Sequence, residues 1–249
     1  MTSESWVGGF HAVQALLERD DARPREILLA DTRRDRRAQE LCQRAQRAGV
    51  PVRRVPRAEL DLRAPGLRHQ GVLAAADAAT VDGGEALEVA ATPDRLLLAL
   101  DGVTDPHNLG ACLRSAEAAG AAAVLVPRDR AAGLTPVARK AAAGAAERVP
   151  VAFVTNLSRS LETLKASGHW VVGLTGEAEK SLYDVDLRGP LVLVVGAEGS
   201  GLRRLTRERC DRLVRIPMRG GIASLNVSVA AAVCLYEAFR QRLAGATPH

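Results

Sequence analysis

Leu96-Leu-Leu-Ala-Leu-Asp101-Gly-Val-Thr-Asp105-Pro-His-Asn108-Leu-Gly-Ala-Cys-Leu-Arg114-Ser-Ala116 decides the fold class. Its opening apolar run does not alternate with polar residues, as in a strand covered on both faces. Asp105-Pro106 then signals a turn, and Asn108 is suited to cap a helix of small and apolar residues over 108–119. The same rhythm recurs downstream. Strands are expected at 122–126, 151–154, 169–174, 191–195 and 212–216, and helices at 157–166 and 225–242. Apolar strands separated by helices make a parallel α/β sheet. In such sheets chemistry collects in the loops that leave the carboxyl ends of strands, which here are 101–108, 175–178, 196–201 and 217–226.

Upstream, a helix is expected over 10–18, a strand over 26–30, a helix over 34–48 and strands over 50–55 and 70–76. This reads as a small α/β domain, 1–76. Residues 77–94 lose periodicity and gain Gly, Thr and acid, which suits a linker, and 95–249 form the larger domain. Charge separates the two. Residues 1–72 hold 14 Arg against ten acids, while the whole chain is only +5. An excess of positive charge in one small module suits either a handle for a polyanion or a solvated surface. On a helix over 33–48, Arg33, Arg37, Arg44 and Arg47 fall within about 40° of one line. That stripe suits phosphates, but Glu40 shares it and offers intrahelical ion pairs instead. His69 is a further candidate RNA contact, with a packed ring as its alternative. Aromatic residues make up 3% of the chain, too few for a base-stacking platform, so contacts to the shape and phosphates of folded RNA fit better.

The 249 residues are 47% apolar, enough for substantial cores, and no apolar run approaches the roughly 18 residues of a membrane helix. Met1-Thr-Ser-Glu-Ser-Trp6 lacks the basic start of a secretory signal. Cys42, Cys112, Cys210 and Cys234 show no metal-ligand or disulfide spacing, so no metal is expected and the reducing cytoplasm is the expected compartment.

Three stretches carry the chemistry. In 101–116, Arg114 stands among small and apolar residues, either reaching solvent or placed for an anion that its planar fork can grip. In Val195-Gly-Ala-Glu-Gly-Ser-Gly-Leu202 the order is G-x-x-G-x-G, not the dinucleotide G-x-G-x-x-G, and no second βαβ half can follow it. A glycine loop at a strand end still lets backbone amides approach a ligand, and Glu198 within it is a candidate site residue. In Ile216-Pro-Met-Arg-Gly-Gly-Ile-Ala-Ser-Leu-Asn-Val-Ser-Val-Ala230, Ser224 and Asn226 open the last helix. Its expected core stripe is Leu225, Val229, Ala232, Val233 and Tyr236.

Together, Asp105-Pro-x-Asn108-Leu-Gly, Arg114, Gly196-x-Glu-Gly-x-Gly201, Ile216-Pro-Met218 and Ser224-Leu-Asn-Val-Ser-Val-Ala resemble the three motifs of the SpoU/TrmH family of RNA ribose 2′-O-methyltransferases. The likeness covers essentially the whole chain. Gly9-Phe-His-Ala-Val, His69-Gln-Gly-Val72 and Thr175-Gly-Glu-Ala178 resemble the branch of that family acting on guanosine in 23S rRNA. It implies a trefoil-knotted parallel-sheet methyltransferase domain preceded by a small ribosomal-protein-like RNA-binding domain, working as a homodimer to which Leu235 and Phe239 contribute. It also implies S-adenosylmethionine held by Thr175, Gly196, Gly201, Ile216, Met218 and Leu225. The implied substrate is 23S rRNA or a preribosomal particle, methylated near the peptidyl-transferase centre, with no membrane or DNA partner. Arginine is always protonated, so Arg114 is expected to bind a phosphate and stabilise oxygen charge rather than act as a base. Glu198 is expected to orient it, while Asn108, Ser224 and Asn226 position the ribose and the loops. The rival readings are a tRNA ribose methylase, and a non-catalytic rRNA-binding assembly factor with a vestigial cofactor pocket.

Overall fold

The computed structural model describes residues 5–18, 23–65, 67, 69–76, 80–82, 95–222 and 224–245. They fall into two compact units, Met1–Ala79 with Ala143–Arg148, and Thr80–Ala142 with Val149–His249.

The first unit is built on a four-stranded sheet in the order β1-β4-β2-β3, from Ser5–Gly8 (β1), Glu26–Ala30 (β2), Val52–Val55 (β3) and Val72–Ala76 (β4). β2 and β3 are parallel, and β4 is antiparallel to both β1 and β2. Ile27 and Leu29 point into a core with Val13 and Leu16 of α1 (Phe10–Leu17) and Leu41 and Ala45 of α2 (Arg36–Arg47). Leu28 and Ala30 point the other way, onto Leu60 of α3 (Arg57–Arg63). Burial on both faces is why β2 reads as an unbroken apolar run. Sequence periodicity overlooks β1 and α3, which are too short to show a period. Asp35 caps α2 by accepting from the Ala38 N–H, so the helix starts at Arg36 and Arg33 precedes it.

The second unit is a seven-stranded, wholly parallel sheet in the order β11-β9-β10-β6-β7-β8-β5. The strands are Thr80–Asp82 (β5), Leu96–Asp101 (β6), Ala123–Pro127 (β7), Val151–Val154 (β8), Trp170–Leu174 (β9), Leu191–Gly196 (β10) and Arg212–Val214 (β11). β5 lies inside the stretch expected to be a linker; most of that stretch, 77–79 and 83–94, lies outside the described residues. Leu161 and Leu164 of α6 (Leu157–Ala166) cover one face of the sheet with Leu97, Leu125 and Val192. α4 (Pro106–Ala118) packs against α5 (Pro136–Ala142) and α8 (Val227–Gly245). Gly110 permits the first contact, because a Cβ there would stand 2.3 Å from the Ala138 carbonyl. α7 (Arg204–Arg209) precedes β11.

Two expectations are corrected here. Asn108 does not cap α4. Asp105 does, accepting from the His107 N–H at 2.9 Å, with Pro106 in the first turn, where its missing N–H costs nothing. In α8 the buried apolar residues are Val227, Ala230, Ala231, Cys234, Leu235 and Ala238, whereas Val229 and Tyr236 of the expected core stripe are 47% and 49% exposed. Apolar residues lie all round this helix, so period alone does not tell which face meets the sheet.

His169, just ahead of β9, is 3% exposed, and among the described residues neither ring nitrogen has a hydrogen-bond partner. Burial lowers its pKa below 6.5, an effect only partly offset by the Leu164 carbonyl. Above the ordinary value both folded and unfolded chains hold the ring neutral. Below it the unfolded chain binds a proton that the folded chain refuses, so stability falls as pH drops from 6.5 through the lowered value. Urea unfolding should therefore show a midpoint that declines from about pH 7.5 to about pH 5.5, and His169→Leu should flatten that decline.

Candidate active site

The glycine loop forms because β10 ends in a residue that no side chain could replace. A Cβ on Gly196 would lie 2.2 Å from the Gly201 carbonyl carbon. The loop closes on itself through Ala197 N–H to Gly201 O at 3.2 Å and Gly201 N–H to Ala197 O at 2.9 Å. Gly199 and Gly201 adopt φ of +78° and +64°, a region that favours glycine. Asp101, buried at the end of β6, accepts from the Arg203 N–H at 2.8 Å and fixes the exit of the loop.

Glu198 is held outward by this turn. Its Oε1 accepts from Asn226 Nδ2 at 2.7 Å, from the Val227 N–H at 3.3 Å and from Asn108 Nδ2 at 3.4 Å. Asn226 also donates to Asn108 Oδ1 at 3.0 Å, and its own Oδ1 accepts from the Ser228 N–H at 2.9 Å, in the manner of a helix cap. Each amide therefore donates and accepts at once, and one carboxylate joins the start of α4, the glycine loop and the start of α8.

Beside this network, a cavity of about 530 Å³ opens at the carboxyl ends of β9 and β10. Thr175, Gly196, Gly201, Ile216, Met218 and Leu225 all line it, and so do Glu198 and Ser224. Leu174, Val195, Val227 and Ala230 complete an apolar wall. The volume and the mixture of apolar side chains with backbone amides freed by glycine suit a nucleoside-sized ligand. S-adenosylmethionine fits this chemistry: an adenine edge for the backbone groups, and an apolar wall for the ring and the carbon chain beside the sulfonium. Among the lining residues that sequence reasoning missed are two charged ones, Glu177 and Arg207, which pair at 2.9 Å. Glu177 lay within Thr175-Gly-Glu-Ala178 and Arg207 among the charges of 203–209, but ordinary surface charges look the same in a sequence.

Arg114 is exposed, is absent from the cavity wall and has no hydrogen bond or ion pair among the described residues. Within one chain Glu198 does not orient it, and that expectation is corrected: the Glu198 Oε1 is bonded instead to the asparagines and the Val227 N–H. Cys112, Cys210 and Cys234 have thiols pushed up to about 12 by burial, so none of these three is a ready thiolate.

In the first unit the expected arginine stripe is broken. Arg33 lies ahead of α2, paired with Asp35 at 2.8 Å and stacked over Phe10 at 4.7 Å. Arg44 pairs with Glu18 at 2.9 Å. Glu40 pairs with Arg36 at 2.8 Å, rather than with the stripe. Arg37 and Arg47 are exposed without a partner among the described residues, as are Arg34 and Arg57, which the stripe did not include. His69 is no RNA contact. Its ring is 2% exposed, Nδ1 accepts from the Gly71 N–H at 3.1 Å, and Nε2 therefore donates to Asp61 at 2.8 Å.

A parallel α/β unit with a ligand cavity at its carboxyl edge, where a carboxylate joins three loops, defines a group-transfer enzyme of the methylase kind. The chain belongs to the SpoU rRNA Methylase family, whose model matches residues 95–236. A second model, for RNA 2′-O ribose methyltransferase substrate binding, matches residues 6–81. A 23S rRNA (guanosine-2′-O-)-methyltransferase RlmB of Pseudomonas putida is 55% identical over 94% of this chain and 95% of its own. The RlmB of Bordetella pertussis is 52% identical over 97% of this chain and 99% of its own. The SpoU methyltransferase AviRb of Streptomyces viridochromogenes, solved in complex with AdoMet, superposes with a TM-score of 0.81 at 27% identity, over 97% of this chain and 92% of that one.

Gly196→Ala should open the loop and destabilise the second unit by about 2 kcal/mol or more, since the clash is with backbone. A thermal melt and a cofactor titration read the two effects. An unchanged melt with normal binding would contradict the loop geometry.

Proposed function

We propose that this chain transfers a methyl group from S-adenosylmethionine to the ribose 2′-hydroxyl of a guanosine in 23S rRNA, near the peptidyl-transferase centre and in the cytoplasm. The observation that carries the reading is one cavity walled by the second and third motif stretches and the loop after β9, with the Asn226–Glu198–Asn108 network tying the first motif to its edge. Relatives above 50% identity along nearly the full chain favour rRNA over tRNA as the substrate and a working enzyme over a vestigial one.

When bound, S-adenosylmethionine supplies an electrophilic methyl on a sulfonium. Thr175, Gly196, Gly201, Ile216, Met218 and Leu225 hold it, their glycines exposing backbone groups and their apolar side chains excluding water. Asn108, Ser224 and Asn226 position the ribose. Glu198 does so indirectly, by keeping both amides in one orientation. A hydroxyl is a weak nucleophile, so the remaining task is alignment and stabilisation of the oxygen as its proton leaves. Arg114 supplies the positive charge, gripping the adjacent phosphate in bidentate fashion and stabilising the developing oxyanion.

Because Arg114 is outside its own cavity wall, it serves the cavity of a second copy. The exposed Val229, Tyr236 and Leu243 on α8, with half-buried Val233 between them and Phe239 beside Tyr236, supply the contact between copies. Leu235 does not contribute, being fully buried in its own chain. α4, which bears Arg114, packs on α8. Arg37 and Arg47, with Arg34 and Arg57, bind phosphates of the rRNA, as naked RNA or in a preribosomal particle. The segment after β11 is threaded as a trefoil knot in this reading, which the bonds of Arg215 to Lys180 and Leu182 and of Val227 to Glu198 support.

Purified chain and cofactor should methylate one guanosine ribose in 23S rRNA from cells lacking the gene; modification of tRNA alone would overturn the assignment. Arg114→Ala should abolish turnover while leaving cofactor affinity unchanged. Mixing it with the cavity-blocking Leu225→Arg should restore about a quarter of wild-type activity through mixed dimers. No recovery would place Arg114 with its own cavity.

A further inference from the structure

The Glu177–Arg207 pair has no role in the scheme above, yet both residues line the cavity. They come from separate elements, the loop after β9 and α7, and meet at 2.9 Å with side chains 75% and 45% exposed. Arg207 is the one cationic side chain among the described residues that form the cavity wall. The wall holds two carboxylates. Glu198 is held by three bonds to its Oε1, from the asparagines and the Val227 N–H, whereas the only hydrogen bond described for Glu177 is the one from Arg207.

The ligand proposed for this cavity carries its own opposite charges on one end, a carboxylate and an ammonium on the same carbon. We propose that Arg207 and Glu177 form the subsite for this amino-acid head, exchanging their mutual ion pair for two pairs with the ligand. Arg207 offers its fork to the ligand carboxylate, and Glu177 accepts from the ammonium. An exposed ion pair contributes little, so parting it costs little, and each partner regains an opposite charge at once. The arginine geometry matches a carboxylate in two parallel hydrogen bonds, which an ammonium on lysine cannot reproduce. In the free protein the pair keeps each charge from drawing a singly charged ligand into the cavity. It thus selects for a zwitterionic head over an adenosine with a neutral tail.

The inference rests on the cofactor reading of the cavity, and a calorimetric comparison of three ligands separates the two. S-adenosylmethionine and S-adenosylhomocysteine carry the head; 5′-methylthioadenosine keeps the nucleoside and sulfur without it. Arg207→Met should weaken the first two by about tenfold or more and leave 5′-methylthioadenosine within about twofold of the unaltered chain. Arg207→Lys should recover part of the loss, and Glu177→Gln should weaken the same two ligands. Equal weakening of all three would show a structural effect on the cavity and overturn the subsite, as would unchanged affinity for S-adenosylhomocysteine. If the unaltered chain binds none of the three, the cofactor reading itself fails and takes the subsite with it.

Discussion

One carboxylate oxygen, Oε1 of Glu198, joins three segments distant in sequence. It accepts from Asn226, Asn108 and the first N–H of α8. Single hydrogen bonds of this kind contribute about 1 kcal/mol each, more when the acceptor is charged. The value of this one lies in geometry, since it fixes the relative positions of the loops after β6, β10 and β11. The glycine turn makes the arrangement possible by bringing Gly201 backbone against Gly196, and buried Asp101 anchors the exit of that turn at Arg203. Without these constraints the cavity would have no fixed wall on its reactive side.

The division of labour follows from where charge can be kept. The cavity wall is mostly apolar, and a guanidinium buried there without an anion would be costly. Arg114 stands in solvent, and in the proposed scheme it brings its positive charge to the cavity of a second copy paired with an RNA phosphate. The amide groups of Asn108 and Asn226 are neutral and are satisfied within their own network, so they can wait at the cavity edge without a bound partner. Exposed arginines of the first unit follow the same logic: Arg37 and Arg47 have no partner among the described residues, while Arg33, Arg44 and Arg53 are spent on neighbouring carboxylates.

The parallel sheet was legible because its strands are buried on both faces; the run 151–154 and the helix 157–166 match the structure end to end. The walls of the cavity were legible for a related reason, since glycine, proline and asparagine at strand ends have few other uses. What stayed hidden depended on which face a residue presents. Apolar residues surround α8, so its buried side could not be chosen by period, and Val229 and Tyr236 were assigned to the wrong one. Two local caps moved helix starts: Asp105 displaced Asn108, and Asp35 left Arg33 outside α2. His69 was ambiguous because its partner, Asp61, lies eight residues away in α3, an element too short to be foreseen. The partner of Glu198 was misassigned for the same reason, since nothing in sequence order places Asn226 nearer to it than Arg114.

The most direct measurement is a double-mutant cycle on Glu198 and Asn226, read as affinity for S-adenosylhomocysteine. If the carboxylate works by holding the amide, Glu198→Ala and Asn226→Ala should each weaken binding, and the double variant should be little worse than either alone. Fully additive losses, or binding that ignores both changes, would mean that the loops are organised by something else and that the network is incidental to the cavity.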